Sequence, residues 1–180
     1  MTVSSSPSVS PGLERLNGMT PADARRVLLA CCGSTAWADA VSRQLPVRTE
    51  AELYSLADRV WSSLSAPDWL EAFRAHPRIG ERSATESRGD AEQAARWSAD
   101  EQAVADRGSP DVQAALAEAN GEYESRFGYI FLICASGRSA DEILRELKVR
   151  LGNSAERELA VAAEEQRRIM RLRLARVIAP

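Results

Sequence analysis

The chain contains one histidine, His76, inside the stretch FRAHPRIGER at residues 73–82. Imidazole is the side chain whose ordinary pKa lies near neutrality, so a solitary His at a constrained backbone position is a candidate acid–base group. The constraint here is Pro77. A residue preceding proline is pushed out of the α region, so a helix through PDWLEAF (67–73) must stop near Ala75. His76 then sits at a helix exit, on a chain redirected by Pro77 and again by Gly80. The same residues would also serve as an ordinary turn.

Two further groups could join it. In WSADEQ (97–102), Ser98 and Glu101 stand three apart, the spacing of a capping box with Ser98 as N-cap and Glu101 at N3. Such a helix N-terminus would present free N–H groups to an anion, with Glu101 and Gln102 beside it. In IMRLRLARVI (169–178), Arg173 is unlike its neighbours. At 100° per residue it falls within about 60° of the axis shared by Leu159, Ala162, Ala163, Ile169, Met170 and Val177, whereas Arg167, Arg168 and Arg171 project elsewhere. An arginine on a packed face needs an anionic partner. That partner is either an internal carboxylate or a substrate anion, and guanidinium geometry suits a planar carboxylate or a urea carbonyl. One imidazole, one carboxylate, an amide and a core-facing guanidinium, with no zinc set, GxGxxG, P-loop or Ser-His-Asp order, fit cofactor-free proton chemistry on a small polar anion.

The elements that must position these groups read as helices. TPAD (20–23), TEAE (49–52), SADE (98–101) and SADE (139–142) carry helix-start patterns, and SPD (109–111) opens another. Behind them, Leu53, Leu56, Ala57, Val60, Trp61 and Leu64 mark one helical face, as do Ile143, Leu144, Leu147 and Leu151, and Val112, Leu116, Ala119 and Tyr123. A long last helix runs from about Asn153 towards Val177. YIFLICAS (129–136) breaks the period as a continuous apolar run between two glycines. With no second strand to pair with, it is expected to be an irregular buried segment whose N–H groups need partners from side chains, water or a ligand. The expected fold class is all-α, a single-domain bundle of about eight to ten helices.

Composition sets outer bounds. The 180 residues, 44% hydrophobic and 27% charged, suit one globular domain. A net charge of −3 gives no basic field for nucleic acid, and no apolar run approaches the roughly 20 residues that span a bilayer. MTVSSSPSVSPG reads as a disordered tail over 1–12 ahead of a domain at 13–180, without the features of a secretory signal. Cys31, Cys32 and Cys134 form no metal-binding spacing and are expected to be reduced, and a cytoplasmic location follows as the expectation.

Five pieces in order then carry a resemblance: HPRIG (76–80), WSADEQ (97–102), NGEYESRFGYIFLICASGRSADEIL (120–144), RLGN (150–153) and IMRLRL (169–174). Together with upstream stretches they resemble the 2-oxo-4-hydroxy-4-carboxy-5-ureidoimidazoline (OHCU) decarboxylases of urate degradation, over roughly Leu16 to Val177. The resemblance implies an all-helical, cofactor-free, metal-free homodimer that converts OHCU to (S)-allantoin and carbon dioxide. It implies His76 as the catalytic histidine and Glu101 as a pocket residue, and the mechanism expected from them makes Glu101 the second catalytic residue, orienting the imidazole. Pro77, Ser98, Gln102, the backbone of Tyr129, Ile130, Phe131, Leu132 and Ile133, and Arg173 would bind substrate, with Arg171 the alternative arginine. The competing readings are a non-catalytic helical binding module and a lyase acting on a related ureido or imidazoline acid.

Overall fold

The computed structural model describes residues 10–79, 90–103 and 108–180; Gly80 lies outside them. Among these residues are nine α-helices: α1 (Pro11–Asn17), α2 (Pro21–Cys32), α3 (Thr35–Ser42), α4 (Glu50–Ser63), α5 (Ala66–Arg74), α6 (Asp90–Gln102), α7 (Pro110–Phe127), α8 (Ala140–Arg150) and α9 (Ala155–Ile178). None of them is long and apolar enough to cross a membrane. The fold is all-α, as the periodicity predicts.

Most helix starts are where the capping residues stand. Thr20, Thr49 and Ser109 accept the N3 amides of α2, α4 and α7. Ser139 and Glu142 complete a reciprocal capping box at α8, with bonds of 3.3 and 2.8 Å. The first SADE behaves differently. Ser98 lies well inside α6, and Glu101 and Gln102 are in its last turn, so no helix N-terminus exists there and the expected cap and anion site are both overturned. A tertiary partner on α9 claims the Ser98 and Glu101 side chains instead.

The tail boundary also moves. Composition assigned residues up to 12 to a disordered segment, but Ser10 caps α1 and Pro11 occupies its first turn. The Ser10 hydroxyl donates to the Ile178 carbonyl at 3.2 Å, and a Cβ on Gly12 would stand 2.2 Å from that oxygen. Helix α1 is therefore clasped to the end of α9 through a glycine contact. Residues 1–9 lie outside the described part.

Helix α9, about 36 Å long at 1.5 Å per residue, is the axis of the bundle and packs against α1, α2, α4 and α5. Around it gathers one apolar cluster that includes Leu28, Trp37, Trp61, Phe73, Met170 and Leu174. The buried indoles are satisfied: Trp37 donates to the Ala57 carbonyl and Trp61 to that of Ala163, each at 3.0 Å. A second cluster, with Leu116, Tyr123, Phe131, Ile133, Ile143 and Leu147, lies between α7 and α8.

The run YIFLICAS connects the two clusters. It is irregular, without strand pairing, and alternates like any extended chain. Ile130, Leu132 and Cys134 face the first cluster, and Phe131, Ile133 and Ala135 the second. Only Ser136 departs from the expected burial, being exposed.

A buried ionic knot grips this segment. Glu158, fully buried, accepts Arg150 Nε (2.7 Å), Asn153 Nδ2 (2.7 Å) and the Tyr123 hydroxyl. Arg150 Nη1 then donates to the Leu132 carbonyl at 2.9 Å. Burial and the bond to Glu158 hold the Tyr123 phenol protonated. Asn153→Ala deletes one charge-assisted bond to a carboxylate that water cannot reach. It is expected to lower stability by about 1.5–3 kcal/mol, read from the urea midpoint; a change near zero would mean that the knot is redundant.

Candidate active site

His76 stands one step beyond the α5 C-cap, Ala75. The Ala75 and His76 amides close short i→i−3 bonds to Ala72 and Phe73, each 3.2 Å, which tightens the helix end before Pro77 turns the chain. The approach of α5 to the α2–α3 corner depends on Gly33. This glycine has φ +79°, and a Cβ there would lie 2.5 Å from Ala75 Cβ. Gly33→Ala is expected to lose about 1–3 kcal/mol from left-handed strain and overlap. Because the overlap is with the residue before His76, kcat should fall with it; a variant of wild-type stability and rate would refute this docking.

The imidazole sits in a protein environment that disfavours its charge. Burial is the main cause, the positive Arg173 adds to it and the Gln166 side chain opposes it, and together they depress the pKa to about 3. His76 is therefore neutral at physiological pH. Its Nε2 is buried with no protein partner.

Arg173 is 2% exposed and fully engaged. Its Nε and Nη2 hold Glu101 by two parallel bonds of 3.1 and 2.9 Å, Nη2 also donates to Ser98 Oγ at 2.8 Å, and Nη1 reaches the Ala30 carbonyl at 3.4 Å. Arg176 adds a 3.4 Å contact to Glu101. The spacing that looked like a capping box puts Ser98 and Glu101 on one face of α6, and that face meets α9. The internal carboxylate is thus the partner of Arg173 in the free protein. Glu101 in turn orients the guanidinium; among the described residues no hydrogen bond joins it to His76, contrary to the expectation that it holds the imidazole.

The helical-face argument separates the two arginines. Arg171 is 40% exposed, pairs with Asp58 at 2.6 Å and stacks on Tyr54 with its guanidinium 4.7 Å from the ring centre. It lines a surface hollow with Cys134 and Leu172, away from the Arg173 cluster.

The structure thus brings Ser98, Glu101 and Arg173 into direct contact, with His76 in the field of Arg173. Pro77 is half-buried beside His76. The side chain of Gln102 lies outside the described residues. Phe131, Leu132 and Ile133 bury their side chains, while Tyr129 and Ile130 are partly buried. Among the described residues the amides of 129–133 meet no acceptor, and Cys134 N–H is taken by Glu165 at 2.8 Å. Cys31 and Cys32 lie near the cluster as inert buried thiols, with burial pushing that of Cys32 up to about 12. Among the described residues no group of three His, Cys, Asp or Glu side chains could hold a metal ion.

Two residues of this region escaped the sequence reading. Arg176 carries no special signal. Gln166 does: it is polar, fully buried, and lies seven residues before Arg173 on the apolar face of α9.

An all-helical scaffold with a neutral imidazole, a buried guanidinium–carboxylate pair and, among the described residues, a stretch of amides without acceptors defines a class of small helical proteins with one buried polar site. Comparison with known proteins narrows the class. A sequence profile described as OHCU decarboxylase matches residues 17–175, and the chain belongs to that family. The "Uric acid degradation bifunctional protein TTL" of Arabidopsis thaliana is 40% identical over 148 residues, which is 82% of this chain and 45% of that protein. This chain therefore spans less than half the length of that relative. The 2-oxo-4-hydroxy-4-carboxy-5-ureidoimidazoline decarboxylase of Haloferax volcanii is 30% identical over 130 residues, covering 72% of this chain and 73% of that one. Among solved structures, one of an OHCU decarboxylase in the presence of (S)-allantoin superposes with a TM-score of 0.73 at 37% identity, covering 85% of this chain and 97% of that one.

Proposed function

We propose that this chain catalyses the decarboxylation of OHCU to (S)-allantoin in urate breakdown. The observation that supports it best is the buried Arg173–Glu101–Ser98 cluster beside an unpartnered neutral imidazole, in a chain of the OHCU decarboxylase family.

The substrate carries much of its own chemistry. The carbon bearing the carboxylate also bears a hydroxyl and adjoins a C=N bond. When the bond to carbon dioxide breaks, its electron pair forms a C=C bond, and the imine pair moves to the ring nitrogen, which takes a proton. The hydroxyl proton then leaves as that carbon becomes a carbonyl, and a proton adds to one face of the neighbouring carbon. No external electron sink is required.

In this reading Arg173 Nη1, the arm with the weakest protein contact, offers a bond to the substrate anion. The amide N–H groups of 129–133 donate to its oxygens, with Pro77, Ser98 and Gln102 around them. Neutral His76 receives the hydroxyl proton. A bound carboxylate would offset the field of Arg173 and make the imidazole a better base than in the empty protein. Glu101 keeps the guanidinium in place. The same reading takes the protein as a cofactor-free homodimer of the cytoplasm, which light scattering and cell fractionation test.

The decisive assay generates OHCU in situ from urate and follows allantoin by circular dichroism. The expected result is fast formation of the S enantiomer. A racemic signal no faster than the blank would end the proposal and leave a non-catalytic binding module.

A further inference from the structure

Gln166 is the one uncharged polar side chain completely enclosed on the inner face of α9. Its Nε2 donates to the Cys32 carbonyl at 2.9 Å. That bond fixes which way the amide points, because a carbonyl accepts and Oε1 cannot donate to it. Oε1 is thereby turned away from Cys32, and it is buried without a partner, as is Nε2 of His76. Gln166 is also the side chain that opposes burial and Arg173 by favouring the charged form of the imidazole. The backbone brings their neighbourhoods together: the Gly33 close approach sets the end of α5, one residue before His76, against the corner that carries the Cys32 carbonyl.

We propose that Gln166 is a positioning residue that holds His76 as the Nε2–H tautomer, leaving Nδ1 as the basic nitrogen presented to substrate. The proposal rests on reading His76 as the acid–base group of an OHCU decarboxylase. The logic is that of an acceptor behind a catalytic imidazole: the hydrogen bond made by one ring nitrogen decides which nitrogen carries the lone pair. A carboxylate in that place would also stabilise the imidazolium. A neutral amide leaves the ring uncharged while fixing its tautomer, which suits a site where Arg173 already supplies the positive charge.

A single histidine makes the test direct. In the tag-free, 15N-histidine-labelled chain, long-range 1H–15N correlation spectra report one imidazole only. Wild type should show a protonated Nε2 and a bare Nδ1 at neutral pH. Gln166→Leu, which keeps the volume and removes the acceptor, should give a mixed or inverted pattern. Gln166→Glu, which keeps an acceptor, should restore Nε2–H. In the decarboxylation assay Gln166→Leu should lower kcat on the order of tenfold, the scale of a partner that orients an imidazole, with KM within about twofold. An Nδ1–H pattern in wild type, or an unchanged pattern in folded Gln166→Leu, would overturn the proposal. If Gln166→Leu does not fold, the wild-type and Gln166→Glu spectra decide. Spectra as expected from a chain inactive on OHCU would sink the decarboxylase reading and leave the tautomer assignment standing.

Discussion

Arg173→Met is expected to lose stability and activity together, and stability by more than any other single replacement in the site. Methionine fills much of the arginine stem's volume, so packing alone does not explain the loss. The damage comes from Glu101, which is 7% exposed and would be left with the longer contact to Arg176. Breaking a buried pair from one side costs about 3–5 kcal/mol, readable as a lowered urea midpoint. Ser98 would lose its charged partner as well. Activity should fall at least about 100-fold, because Arg173 is the proposed anion ligand and also adds to the burial that keeps His76 neutral. A second substitution separates the two effects. Adding Glu101→Gln removes the stranded charge, so the double variant should recover part of the stability and none of the rate. If Arg173→Met alone kept its midpoint and its kcat/KM, the pair would be ornamental and the site would lie elsewhere.

His76→Asn should show the opposite split. The imidazole is uncharged near neutral pH, so no buried ion pair is broken by its loss, and the midpoint there should move little. The rate should fall roughly 10²–10⁴-fold, the range for removal of a positioned acid–base group. Stereochemistry is the sharper readout: whatever allantoin still forms should drift towards the racemate. The pH dependence carries a sign. The folded imidazole titrates near 3 against an ordinary value of 6.5. Between those limits the unfolded chain binds a proton that the folded chain refuses, so wild type loses stability as pH falls through that window. His76→Asn lacks this term. Its midpoint should therefore fall less steeply than that of wild type from about pH 6.5 downwards, while above it the two run parallel. Identical acid profiles would mean that the ring is solvated and free to charge. Full activity in His76→Asn would spare the family assignment and remove the mechanism.

The sequence itself determined the helices and most of their starts. Capping pairs and 3.6-residue periodicity act within one or two turns, so Thr20, Thr49, Ser109 and Ser139 cap helices whatever surrounds them. It determined the end of α5 near Ala75, because Pro77 excludes helix by local sterics, and the inward aim of Arg173, because its angle on α9 is a property of spacing. The irregular run at 129–136 was legible too, since a lone apolar run without a pairing partner can only be buried singly.

Tertiary structure decided the rest, and the physical reason is that one local pattern can serve two partners. SADE at 98–101 and SADE at 139–142 are the same four letters. The second caps α8 because its side chains have only their own backbone to bond. The first continues a helix because Arg173, 72 residues from Glu101, offers Ser98 and Glu101 a charged donor in a dry interior. A guanidinium out of water outbids a local amide. The same contest set the end of the tail, where α9 recruits Ser10 and Gly12, and it turned Glu101 from His76 to Arg173. Local spacing names the groups that need partners. Which partner arrives depends on chain segments that are distant in sequence and meet only when the core closes.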